Sequence, residues 1–151
     1  MKVTTRLFGE IEVAEDKTIT FPDGILGFPD MKKFTLLHDS SREDVSLRYL
    51  QSLDDGDYCL PVVDPLYIKE EFNPAIKESD IEALQPLETD NMLILVTVTV
   101  PVDIKQMTAN LSGLIIINSD TNKAVQVMVE EGDDYAVKYP IYEYLEKQKH
   151  K

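Results

Sequence analysis

The chain has 151 residues, a length suited to one domain that buries roughly 68–70 % of its unfolded surface. Its 28 acidic residues against 15 basic ones leave a formal net charge of −13. Such a chain repels nucleic-acid phosphates and anionic membrane surfaces, and favours either a basic protein partner or simple solubility.

Residues 1–6 enter strand-like sequence directly, without an apolar targeting segment, and no stretch reaches the roughly 18 apolar residues of a membrane span. The expected location is the cytoplasm. The single cysteine, Cys59, forms no internal disulfide and reads as a small buried hydrophobe within a strand.

In chain order, residues 3–8 and 10–13 read as two arms of a bend at Gly9, or one strand with a glycine bulge, and residues 18–21 as a short strand. Residues 21–29 hold two prolines and two glycines, which excludes regular helix or central strand. This stretch nevertheless carries Phe21, Ile25, Leu26 and Phe28, so it is either a plug folded back on the core or a surface shown to a partner. Residues 34–38 form a strand, and residues 39–44 its polar exit loop. Residues 47–53 and 58–63 flank Asp54, Asp55, Gly56 and Asp57, an acidic hairpin connection. Residues 66–75 are ambiguous. Residues 77–84 read as a short helix, with Ser79 as a candidate N-cap and Gln85-Pro86 as its stop.

Residues 92–100 are the strongest strand of the chain. The run is apolar without a break until Val96, which implies two covered faces, and then alternates valine with threonine. Residues 101–105 are a connection. Residues 107–111 form a short extended piece, with a turn at Ser112-Gly113 before a strand at 114–118. The turn formers at 119–122 predict a hairpin into a strand at 124–130, so the strands at 92–100, 114–118 and 124–130 should be antiparallel neighbours. A second acidic turn holds Glu130, Glu131, Gly132, Asp133 and Asp134. A last strand is expected at 135–139, then a helical turn or two from Ile141 and a basic, frayed tail at about 146–151. The sum is a mainly β chain: one single-domain antiparallel β-barrel-like fold with one or two short helices.

Catalytic chemistry finds little support. His38, His150 and Cys59 lack metal-ligand spacing, and neither acidic turn matches a calcium-binding loop. None of the serines occupies a nucleophile elbow. Gly24-Ile25-Leu26-Gly27 is flanked by Asp23, Pro22, Pro29 and Asp30, the wrong setting for a phosphate cradle. No cofactor, no metal and no enzymatic activity are expected.

One constellation points further. Thr5-Arg6-Leu7-Phe8-Gly9-Glu10, Phe21-Pro22-Asp23-Gly24-Ile25-Leu26-Gly27-Phe28, Tyr49-Leu50-Gln51-Ser52-Leu53, Asp64-Pro65, Thr108-Ala109-Asn110-Leu111, Ile117-Asn118 and Lys123-Ala124-Val125-Gln126 together resemble the FliW family of flagellar assembly factors. They occur in the family's order from residue 4 to about 139; Tyr49 departs from the pattern, standing where a tryptophan is expected. The resemblance implies a non-enzymatic, β-barrel-like regulator that binds the translational repressor CsrA and blocks its action on flagellin mRNA. It also implies binding of flagellin, which releases the repressor and gives homeostatic control. The alternative is a flagellin chaperone only.

Within that reading, three acidic sets are candidates for the face toward CsrA: Glu70 with Glu71; Asp54, Asp55 and Asp57; and Glu130, Glu131, Asp133 and Asp134. Flagellin's amphipathic segments need apolar anchors, for which Ile25, Leu26 and Phe28, or Leu66, Tyr67 and Phe72, are candidates. For each set the competing reading is a solvated turn or core packing. Whether the connection at 101–111 carries a recognition strand stays open.

Overall fold

The computed structural model describes residues 1–25, 27–37, 47–68, 76–129 and 138–143. Its centre is a barrel of β3 (Ile19–Thr20), β4 (Lys33–Leu37), β5 (Leu47–Ser52), β6 (Cys59–Val63), β7 (Met92–Thr99), β8 (Thr108–Asn118) and β9 (Lys123–Met128). Each strand runs antiparallel to its neighbour in the order β8-β7-β6-β5-β4-β3. A parallel contact of Thr20 with Lys123 and the antiparallel β8–β9 ladder complete the ring. β1 (Lys2–Thr5) and β2 (Gly9–Glu12) form a separate antiparallel hairpin, and β10 (Tyr139–Pro140) pairs with the start of β8.

Two cores follow from the two-residue period of the strands. Ile19, Phe34, Leu50, Val62, Leu95, Ile115 and Ala124 come one from each barrel strand and pack together, so they line the interior. Phe21 and Ile25 join them from the turn-rich stretch, with Phe21 edge-on to Phe34 at 5.2 Å. The opposite faces of β7, β8 and β9 form a second core of Val96, Val98, Leu114, Ile116 and Val127, roofed by Ile68, Leu84 and Ile141. Leu114, Ile115, Ile116 and Ile117 are thus buried on both sides of one strand.

The roof differs from the expected helix. Residues 77–84 are two 3-10 turns, Glu78–Asp80 and Glu82–Leu84, and Ser79 lies inside the first instead of capping it. The physical reason is that so short a segment gains too little from α-helical nucleation. Leu84 is buried in the outer core, and Ile81 before it and Leu87 after the turns pack against the same core. The expected turn at Ser112-Gly113 is also corrected: β8 runs unbroken from Thr108 to Asn118. There the Asn110 side chain accepts from the Ser112 and Gly113 N–H groups, both at 3.0 Å, where the β7–β8 register shifts. The bend at Gly9 is a hairpin. Met92, expected to be covered, is partly exposed at the start of β7.

Candidate partner-binding surface

The acidic connection at 54–57 is built by β5 and β6, and most of its polar groups are used by the fold. Ser52 Oγ accepts from the N–H groups of Asp54 and Asp55, at 3.1 and 3.0 Å. Asp54 Oδ2 accepts from the Lys32 and Lys33 N–H groups, at 2.9 and 3.0 Å, which ties the connection to the start of β4. Asp55 Oδ1 takes the Asp57 N–H at 3.0 Å. Gln51, fully buried, sits beneath and donates from Nε2 to the carbonyls of Ser52, Gly56 and Tyr58. A Cβ on Gly56 would strike the Thr4 carbonyl oxygen, so the β1–β2 hairpin rests directly on this turn. Asp54, Asp55 and Asp57 are nonetheless solvent-exposed. Asp54 is a brace as well as a surface charge.

Beside this turn, the apolar set of the Pro/Gly-rich stretch divides. Ile25 is buried and plugs the barrel interior, so it is corrected from a groove-lining residue to core. Its N–H and C=O exchange hydrogen bonds with Phe28, at 3.2 and 2.9 Å, around a turn in which Gly27 takes φ +83°. Gly24, at φ +70°, has the Phe28 carbonyl oxygen 2.6 Å from where a Cβ would stand. This tight winding sends Ile25 inward and leaves Phe28 44 % exposed, its ring 5.1 Å from that of Tyr58. Burial raises the Tyr58 hydroxyl above its ordinary pKa. Phe28, Tyr58, Asp55 and Asp57 therefore meet at one corner of the barrel, which joins an acidic set and an apolar set that the sequence lists 26 or more positions apart.

Asp64 accepts from the Leu66 N–H at 2.9 Å and starts the 3-10 turn Pro65–Tyr67, where Leu66 is exposed. Leu26, Glu70, Glu71, Phe72, Glu130, Glu131, Asp133 and Asp134 lie outside the described residues, as does the side chain of Tyr67. Cys59, expected to be buried, is only half-buried, and that burial pushes its thiol up to about 11. Among the described residues no three His, Cys, Asp or Glu side chains gather to hold a metal, and no helix is long and apolar enough to cross a membrane. The net charge of −13 is largely uncompensated: among the described residues the ion pair is Lys2 with Glu10, 4.0 Å apart and both exposed.

One surface lies in the connection at 101–111, whose role the sequence leaves open. The connection between β7 and β8 exposes Val100, Val102 and Ile104 around Pro101. Its signal was the one that marked Phe28: large apolar residues in a stretch too rich in turn formers to be core strand.

Relatives agree with this architecture. The family profile of the FliW protein matches residues 2–141. A flagellar assembly factor FliW of Lachnospira eligens is 43 % identical over 150 residues, covering 98 % of this chain and 99 % of its own. That of Thermoanaerobacter pseudethanolicus is 40 % identical over 145 residues, covering 96 % and 95 %. A crystal structure of the flagellar assembly factor FliW superposes with a TM-score of 0.84 at 26 % identity, covering 93 % of this chain and 96 % of that one. With a matching profile over nearly its whole length and a shared closed barrel, this chain belongs to the FliW family.

Proposed function

We propose that this flagellar assembly factor acts without catalysis, in the cytoplasm, by binding CsrA and blocking its action on flagellin mRNA. Flagellin is the competing or releasing partner. The observation that carries the reading is the uncompensated surface charge: a net −13, with a single solvent-exposed ion pair among the described residues. An RNA-binding repressor presents basic surface, so the two proteins attract, and the bound acidic chain repels RNA phosphates. The corner of Asp55, Asp57, Phe28 and Tyr58 supports the same reading, because it offers carboxylates and aromatic faces to cationic side chains. Glu70, Glu71, Glu130, Glu131, Asp133 and Asp134 belong to the proposed acidic face, and Leu66, Tyr67 and Phe72 to the proposed apolar one.

The test is a titration of the purified protein against CsrA and against flagellin, from about 50 mM to about 500 mM salt. CsrA binding that weakens steeply with salt supports the proposal. Flagellin binding alone leaves a chaperone that guards the subunit before export, and binding to neither removes the proposed function.

A further inference from the structure

The β7–β8 hairpin outgrows the barrel. Val98 and Met107 are buried at its base in the outer core, and the ladder continues through Val98 with Ala109 and Thr99 with Thr108. Beyond that pair, Val100 is 46 % exposed, Ile104 50 %, and Val102 fully so. The far end turns through the 3-10 segment Ile104–Gln106, in which the Asp103 side chain accepts from the Lys105 N–H at 3.1 Å. The two edges of this arm differ. On the β8 side, Ala109 and Thr108 already pair with Tyr139 and Pro140 of β10. On the β7 side, pairing with β6 ends at Val62 opposite Thr97. The next β6 residue is Pro61, which has no N–H to extend the ladder. Among the described residues, nothing pairs with the backbone of Val98, Thr99 and Val100 on that side.

We infer that the β7 edge and the arm's apolar tip receive an extended, apolar-alternating segment of a cationic protein, added as a strand. The unpaired backbone selects an extended occupant. Val100 and Val102, both exposed and two positions apart, select apolar side chains at alternate positions. Charge selects the sign: a second copy brings another −13, whereas a cationic protein is drawn in. Asp103 and Lys105 balance each other at the tip, so the apolar contact itself carries no charge penalty. Pro101 limits indiscriminate edge pairing, as proline does on edge strands. This inference rests on the reading that the chain works by binding a basic protein, and it names where such a partner docks.

Two probes separate the inference from that reading: purified CsrA, and the synthetic peptide Lys-Val-Thr-Val-Thr-Val-Lys. Hydrogen exchange at the backbone amides of Val98, Thr99 and Val100 is followed in the full chain, wild type and Val102→Asp. The inference expects both probes to slow that exchange, and Val102→Asp to weaken CsrA binding about ten-fold or more while the circular dichroism is unchanged. CsrA bound at wild-type strength by Val102→Asp, with exchange in the arm unaltered, overturns the docking site and leaves the function standing. A wild type that ignores CsrA but is protected by the peptide overturns the function and keeps the edge. Protection that grows with protein concentration alone assigns the edge to a second copy and overturns the partner.

Discussion

The two ends of β8 are turns of opposite character. At its C-terminal end, buried Asn118 donates from Nδ2 to the carbonyls of Leu84 and Pro86, at 2.8 and 3.1 Å. Its Oδ1 accepts from the Asp120 and Thr121 N–H groups. Asn122 follows at φ +56°, its side chain donating to the Asp16 carbonyl at 2.7 Å and its own carbonyl accepting from the Thr20 N–H at 2.8 Å. Asn91 closes the set: its carbonyl accepts from the Ser119 N–H, and its side chain reaches Asp120. Every element near this end, the 3-10 roof and β3 included, is clasped to the turn. At the N-terminal end, the Met107 carbonyl accepts from the Ile141 N–H, but the tip's side-chain cap is local, Asp103 to the Lys105 N–H, and it shows valine and isoleucine to water. One turn spends its side chains on the fold; the other leaves them available. A turn that stabilises little and exposes apolar surface is the better candidate for binding.

Substitutions should reproduce that ordering. Asn118→Ala removes two donated and two accepted bonds and strips the buried Leu84 carbonyl of its Asn118 donor, and should cost about 3 kcal/mol in urea unfolding. A loss below about 1 kcal/mol would show that the clasp is dispensable. Asn122→Val forces a β-branched residue into the left-handed region, and a loss of about 1–2 kcal/mol is expected in the same assay. Val102→Asp should change stability by less than about 0.5 kcal/mol, since the side chain touches solvent alone. A large loss there would erase the contrast between the two ends.

Much of this was legible from residue pattern. The alternation after Val96 placed β7, the turn formers at 119–122 placed the β8–β9 hairpin, and the apolar content of residues 21–29 announced a segment that was no plain loop. Less legible were features set by tertiary contact. Residues 77–84 contain good helix formers, but Ile81 and Leu84 serve the outer core from two short 3-10 turns. Ser112-Gly113 is turn-like locally and slips out of register with β7, yet Gly113 pairs with Met128 of β9 and the Ser112 carbonyl accepts from the Val129 N–H, which keeps it in strand. For the candidate surface, the sequence named Asp54, Asp55, Asp57 and Phe28, but their convergence with Tyr58 depends on the barrel's closure. The split between Ile25 and Phe28 depends on two positive-φ glycines, whose effect on side-chain direction no hydrophobic pattern encodes.

The most direct test of the regulatory account is a three-component measurement. Fluorescence anisotropy of a labelled flagellin leader RNA bound to CsrA is followed as this protein, then flagellin, is added. The account predicts that RNA is released on the first addition and rebound on the second, with the first step weakened by salt. RNA that stays on CsrA throughout, under conditions where this protein binds flagellin, would contradict it.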